Sequence, residues 1–176
     1  MPAKTSAALV IDASIARAAG ETEHRVSGAC RSFLLEVREI CHRVVMTPEI
    51  REEWKKHRSR FAYGWLASMT AKKKVARPGP VENARLRQTI HSLNLTDSVR
   101  EAILKDIHLV EAAFATDHAV ASLDETARRY LRQLTEHVKS LTSLVWVNPT
   151  KDDEHATDWL RQGAKEDEER RLGFNP

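Results

Sequence analysis

Asp12 directly follows the apolar run Ala7-Ala8-Leu9-Val10-Ile11, and Asp124 follows Val120-Ala121-Ser122-Leu123 in the same way. A carboxylate at the end of such a run has two readings. It caps the helix that comes next, or it stands on the rim of a sheet and does chemistry there. Asp106 is the third acid of interest. It sits at the edge of a helical stripe of Val99, Ile103, Ile107, Val110 and Phe114. It either lies at the wet margin of that stripe or is desolvated, which is costly without a cation or hydrogen-bond donors. The segment Thr47-Pro48-Glu49-Ile50-Arg51-Glu52-Glu53-Trp54 adds three glutamates. If Ile50, Trp54 and His57 mark its inward face, Glu53 ranks first to point inward, Glu49 second and Glu52 third. Should Asp12, Glu53, Asp106 and Asp124 converge, each pair about 4 Å apart costs roughly 4 kcal/mol at an effective dielectric near 20. Such a group must take up a proton or a cation. An all-oxygen donor set without His or Cys favours Mg²⁺ or Mn²⁺, and a metal held this way suits phosphodiester hydrolysis. Arg128 and Arg129, shortly after Asp124, are placed to steer a phosphate backbone towards it.

These residues need elements to position them. Short apolar runs predict strands at Ala7 to Ile11, Val44 to Met46, Val120 to Leu123 and Leu144 to Val147. Helical periodicity fills 25–42, 48–73, 82–93, 97–117, 125–141 and about 152–164. Lys74 to Val81, with Pro78, Gly79 and Pro80, reads as the clearest loop. The last dozen residues, rich in charge, read as frayed. Strands that alternate with helices imply an α/β fold with a parallel sheet. Ligands in such sheets bind beyond the carboxyl ends of the strands, where Asp12 and Asp124 are expected. The division expected is one nuclease-like domain over 1–150, elaborated by helices at about 58–94, then a C-terminal helix and charged tail over 151–176.

Composition narrows the classes. No apolar run approaches the roughly 18 residues needed to cross a bilayer, and the short run ending at Asp12 is a poor signal peptide. The expectation is a cytoplasmic protein without a membrane partner. Cys30 and Cys41 read as lying about three turns apart in one helix, too far to pair. A formal net charge of +3 permits a nucleic-acid partner without requiring one. The basic clusters at Arg51 to Arg60 and Lys72 to Arg77 read as solvated helix faces. Trp54, Trp65, Trp146 and Trp159 fall within apolar patterns and read as core, and the scattered histidines form no His-x-x-x-His pair. There is no Gly-rich phosphate loop or Gly-x-Ser-x-Gly elbow. A phosphatase with Asp12 as nucleophile would want a second Asp where Ser14 stands. A non-catalytic RNA-binding or interaction module is the alternative to an enzyme.

Taken together, the pieces Val10-Ile11-Asp12-Ala13-Ser14, Thr47 to Trp54, Asp106-Ile107-His108-Leu109-Val110-Glu111-Ala112-Ala113 and Ala121-Ser122-Leu123-Asp124-Glu125 resemble the PIN-domain family in order and separation. The resemblance implies a three-layer α/β/α fold around a short-stranded parallel sheet, and a Mg²⁺- or Mn²⁺-dependent ribonuclease. Asp12, Glu53, Asp106 and Asp124 match the family's metal-binding acids. Ser14 and Ser122 match its small polar positions, which would orient those acids or the metal-bound water. The resemblance also implies RNA as substrate, with 5′-phosphate and 3′-hydroxyl products. Many bacterial members are toxins silenced by a small antitoxin protein, often as homodimers. The stretch from Arg58 to Asn94 is longer than the compact toxins need.

Overall fold

Four short segments of this chain are almost wholly apolar, as strands covered by helices on both faces must be, the exposed Arg43 that opens the second being the exception. In the computed structural model, which describes residues 6–176, all four are strands. They are β1 (Ala8–Ile11), β2 (Arg43–Val45), β4 (Ala119–Ala121) and β5 (Val145–Val147). Met1 to Thr5, where the segment read as a poor signal peptide begins, lie outside the described residues. A fifth strand, β3 (Val75–Ala76), falls inside the stretch expected to be a loop. It has two half-buried residues at the sheet edge, too few to show any periodicity, and Pro78 ends it. The sheet is parallel throughout, in the order β3-β2-β1-β4-β5.

That order matters for function. The chain moves outward from β1 to β2 to β3, then returns to lay β4 on the other side of β1. The reversal opens a crevice at the carboxyl ends of β1 and β4. Their register pairs Val10 with Val120 and Ile11 with Ala121. Asp12 N–H then donates to Ala121 O at 2.9 Å, so the two aspartate-bearing turns leave the sheet side by side.

The helices are α1 (Ala13–Ala18), α2 (Arg25–Glu39), α3 (Pro48–His57), α4 (Arg60–Ala71), α5 (Ala84–Ser92), α6 (Asp97–Phe114), α7 (Glu125–Leu134) and α8 (Ala156–Arg161). α1, α2, α4 and α8 pack as one group and α5, α6 and α7 as another, compatible with three layers, and α3 touches both α1 and α6. The periodic segment 48–73 is two helices, not one. Ser59 breaks it: its Oγ accepts from Ala62 N–H to cap α4, while its N–H donates to Ala16 O. This anchors the break on α1. Thr47 caps α3 through Ile50 N–H, with Pro48 in the first turn.

All four tryptophans are core residues. Trp54 does more than fill space. Its Nε1–H donates to Ile11 O at 2.8 Å, fixing α3 to the end of β1. His42 is fully buried: its Nδ1 accepts from Ala7 N–H and its Nε2 faces Leu160 O at 2.8 Å, which assigns it as the neutral Nε2–H tautomer. Burial drives the Cys30 thiol up to about 12, so it stays protonated. No described helix is long and apolar enough to cross a membrane.

The C-terminal residues are ordered rather than frayed. Leu172 is 2% exposed, and its N–H donates to Leu144 O while Arg171 forms an antiparallel bridge to Val145. One buried leucine anchors a segment whose composition alone reads as solvated. The helical segment expected from 125 to 141 also ends early, at Leu134, and a 3-10 turn at Lys139–Ser143 leads into β5.

Candidate active site

Asp12 and Asp124 meet through two serines. Ser14 Oγ and Ser122 Oγ both donate to Asp12 Oδ2, at 2.6 and 2.7 Å. Each hydroxyl also accepts a backbone N–H, Ser14 from Leu123 and Ser122 from Asp124. With donor and acceptor both engaged, neither hydroxyl can rotate without losing a bond. The turns after β1 and β4 are thereby laced together. The capping reading holds for Asp124, whose Oδ1 accepts from Ala127 N–H at 2.8 Å. It fails for Asp12, whose side chain makes no cap bond to α1. Each aspartate has one oxygen tied into the protein, and neither has a described hydrogen bond at the other oxygen.

α6 packs on β1 and β4 and carries Asp106 to the same place. Asp12, Glu53, Asp106 and Asp124 line one cavity of about 260 Å³, with Arg17, His57 and Lys105 at its wall. Asp106 shows the strain of this arrangement. Its carboxyl is raised from the ordinary 3.8 to about 6, chiefly by burial, then by the charges of Asp12 and Asp124 and, more weakly, Glu53; Lys105 opposes the rise. Of the three glutamates on α3, Glu53 alone lines this cavity. It is 41% exposed and pairs with Lys56 at 3.7 Å and His57 at 3.6 Å. Glu49 and Glu52 are exposed and line an adjoining cavity with Arg87 and His108.

Comparison with protein-family models and with curated proteins returns no match for this chain. The site's donors are oxygens from four carboxylates, the set that a hard divalent cation prefers. Among the described residues no group of three or more His, Cys, Asp or Glu side chains is gathered tightly enough to hold a metal as it stands. The donor chemistry fits Mg²⁺ or Mn²⁺, and coordination requires the four side chains to close inward. Arg17, Lys105 and His57 join the cavity wall without having been singled out as site residues by their spacing. For Lys105 the signal was adjacency to Asp106. Arg17 lies on the first helix after Asp12, one turn on from Ala13.

Arg128 corrects an expectation. It is 8% exposed, and its guanidinium is held by Glu154, by Glu125 at 3.3 Å and by Trp146 O at 3.1 Å. A side chain so engaged is a structural tie between α7, β5 and the turn at Glu154, and not a contact for RNA. Arg128→Ala is expected to lower the unfolding free energy by about 1–3 kcal/mol, because it leaves the mostly buried Glu154 carboxylate with only the Asn148 N–H. Urea denaturation reads this directly, and a loss below about 1 kcal/mol would mean the pairing is of little consequence. Arg129 is exposed, with its guanidinium 5.3 Å from the Tyr130 ring centre.

Proposed function

We propose that this chain is a metal-dependent endoribonuclease of the PIN type. The observation that carries the reading is that Asp12, Glu53, Asp106 and Asp124, from four separate segments, line one cavity at the switch point of a parallel sheet. They are the residues that would hold Mg²⁺ or Mn²⁺, which when bound supplies an activated nucleophile and charge stabilisation for phosphodiester hydrolysis. The protein's own part is orientation. Ser14 and Ser122 fix Asp12, and the N-terminal turn of α7 fixes Asp124. Lys105 and Arg17 offset part of the acidic field, so that a polyanion can approach the cavity. A small silencing protein and a homodimer, implied by the family resemblance, belong to the same reading.

The test is cleavage of single-stranded and structured RNA by EDTA-stripped protein, with and without added Mn²⁺ or Mg²⁺. Cleavage is expected only with metal, leaving 5′-phosphate ends. Cleavage that persists in excess EDTA would overturn the metal mechanism. RNA binding without cleavage under any metal would make the chain a binding module.

A further inference from the structure

Beside α7 lies a second, larger cavity, of about 470 Å³, with a different charge problem. Arg128, Arg129, Arg132, Lys151 and Arg170 contribute to its wall. Three of these cations have carboxylate partners: Arg128 has Glu154 and Glu125, Lys151 has Glu125 at 3.4 Å, and Arg170 has Asp167 at 3.3 Å. Neither Arg129 nor Arg132 has an ion pair among the described residues, but Arg129 is exposed beside the Tyr130 ring, whereas the Arg132 Nε is buried without a hydrogen-bond partner. The Arg132 charge is disfavoured there, first by burial and then by the neighbouring Arg128 guanidinium. The acids of the wall do not repair this: Asp153 and Glu169 line the cavity without pairing with Arg132, and the other two are engaged elsewhere. Glu125 already serves Arg128, Lys151 and Asn148, and Glu154 serves Arg128 and the Asn148 N–H.

We infer that Arg132 is the anchor of a phosphate-binding site in this cavity. A guanidinium offers parallel donors matched to phosphate oxygens, and the partner missing at Arg132 is an anion. A phosphoryl group satisfies the stranded donor and separates the two like charges at once. The site has two sources for its ligand. One is free phosphate. The other is a backbone phosphate of the strand engaged at the acidic cavity, since Arg132 lies two turns along α7 from Asp124, about 12 Å. The RNA source rests on the proposed nuclease reading, whereas the phosphate site itself does not.

Thermal melts of the wild type, R132Q and R132K in phosphate-free, low-salt buffer and then with inorganic phosphate test the site. Phosphate is expected to raise the wild-type Tm by about 2–4 °C, R132K by less and R132Q not at all. Without phosphate, R132Q should melt no lower than the wild type, because it removes an unpaired, partly buried charge. A second arm measures RNA affinity against salt in an Asp12→Asn background. If an RNA phosphate occupies the site, adding R132Q lowers the slope of log K on log salt by about 0.7. An unchanged slope with the phosphate stabilisation intact assigns the site to free phosphate. Wild-type Tm indifferent to phosphate together with an unchanged slope would sink the inference, as would R132Q melting well below the wild type in phosphate-free buffer. Failure of the wild type to cleave RNA would count against the nuclease reading alone.

Discussion

Asp12→Asn is expected to reduce kcat for RNA cleavage by about 10³-fold or more while moving the Tm by no more than about 2 °C. The asymmetry follows from how Asp12 is held. Its Oδ2 accepts hydroxyl bonds from Ser14 and Ser122, and the amide oxygen of Asn can accept both. The scaffold between the β1 and β4 turns therefore survives the change. What is lost is the negative charge at the centre of the cavity, and losing one preorganised charge contact at a reacting centre costs on the order of 10²–10³ in rate. A ligand-like role puts the loss at the upper end. Ser14→Ala and Ser122→Ala act one step removed, through the orientation of Asp12, and should each cost about 10–100-fold. Ser122→Ala should also lower stability, since Ser122 is fully buried and its loss leaves the Asp124 N–H without its acceptor. Initial rates at saturating Mn²⁺, with circular dichroism melts of the same samples, separate the two effects. If Asp12→Asn kept more than a tenth of the activity, the acidic cavity would not be where RNA is cut.

Much of this site was legible in the linear chain because burial on both faces leaves a plain signature. Ala8 to Ile11 and Ala119 to Ala121 are apolar without interruption, so the polar residues that end them are easily seen. The helical phase of Ile50 and Trp54 also selected Glu53 over Glu49 and Glu52 as the inward candidate, and Glu53 is the one that lines the cavity. That phase is reliable because Trp54 is locked to Ile11 O. What could not be read depends on partners distant in sequence. Arg128 looks like any surface arginine until Glu154 and Trp146 close over it. Leu172 is a single apolar residue in a charged tail, and only the edge of β5 gives it a place to bury. The break at Ser59 is invisible because Ser59 draws its extra bond from α1, not from its own helix. β3 falls below the length at which any pattern exists.

Asp106→Asn should separate stability from function. In the metal-free protein the Asp106 carboxyl is raised to about 6, against an ordinary 3.8. A carboxyl whose folded value is raised contributes fully to stability below pH 4, and that contribution is lost as the pH climbs through 6. At pH 7.5 the ionised Asp106 therefore works against folding, by about 1–2 kcal/mol once solvent screening of this half-buried group is allowed for. Asn keeps the shape and removes the charge, so the metal-free variant should melt several degrees above the metal-free wild type at pH 7.5. At pH 4 the two should converge, since the wild-type carboxyl is then protonated in the fold. Divalent cation should reverse the order: Mn²⁺ stabilises the wild type, where four carboxylates line the cavity, and stabilises the variant much less. Cleavage should fall with the loss of the charge, as it does for Asp12→Asn. Scanning calorimetry at both pH values, with EDTA and then with Mn²⁺, gives all four comparisons. A variant less stable than the wild type at pH 7.5 in EDTA would show that Lys105 or another donor already satisfies Asp106. The cavity would then hold no unspent negative charge for a cation to relieve. On this account the acid that destabilises the metal-free fold is the one whose charge a bound cation would relieve.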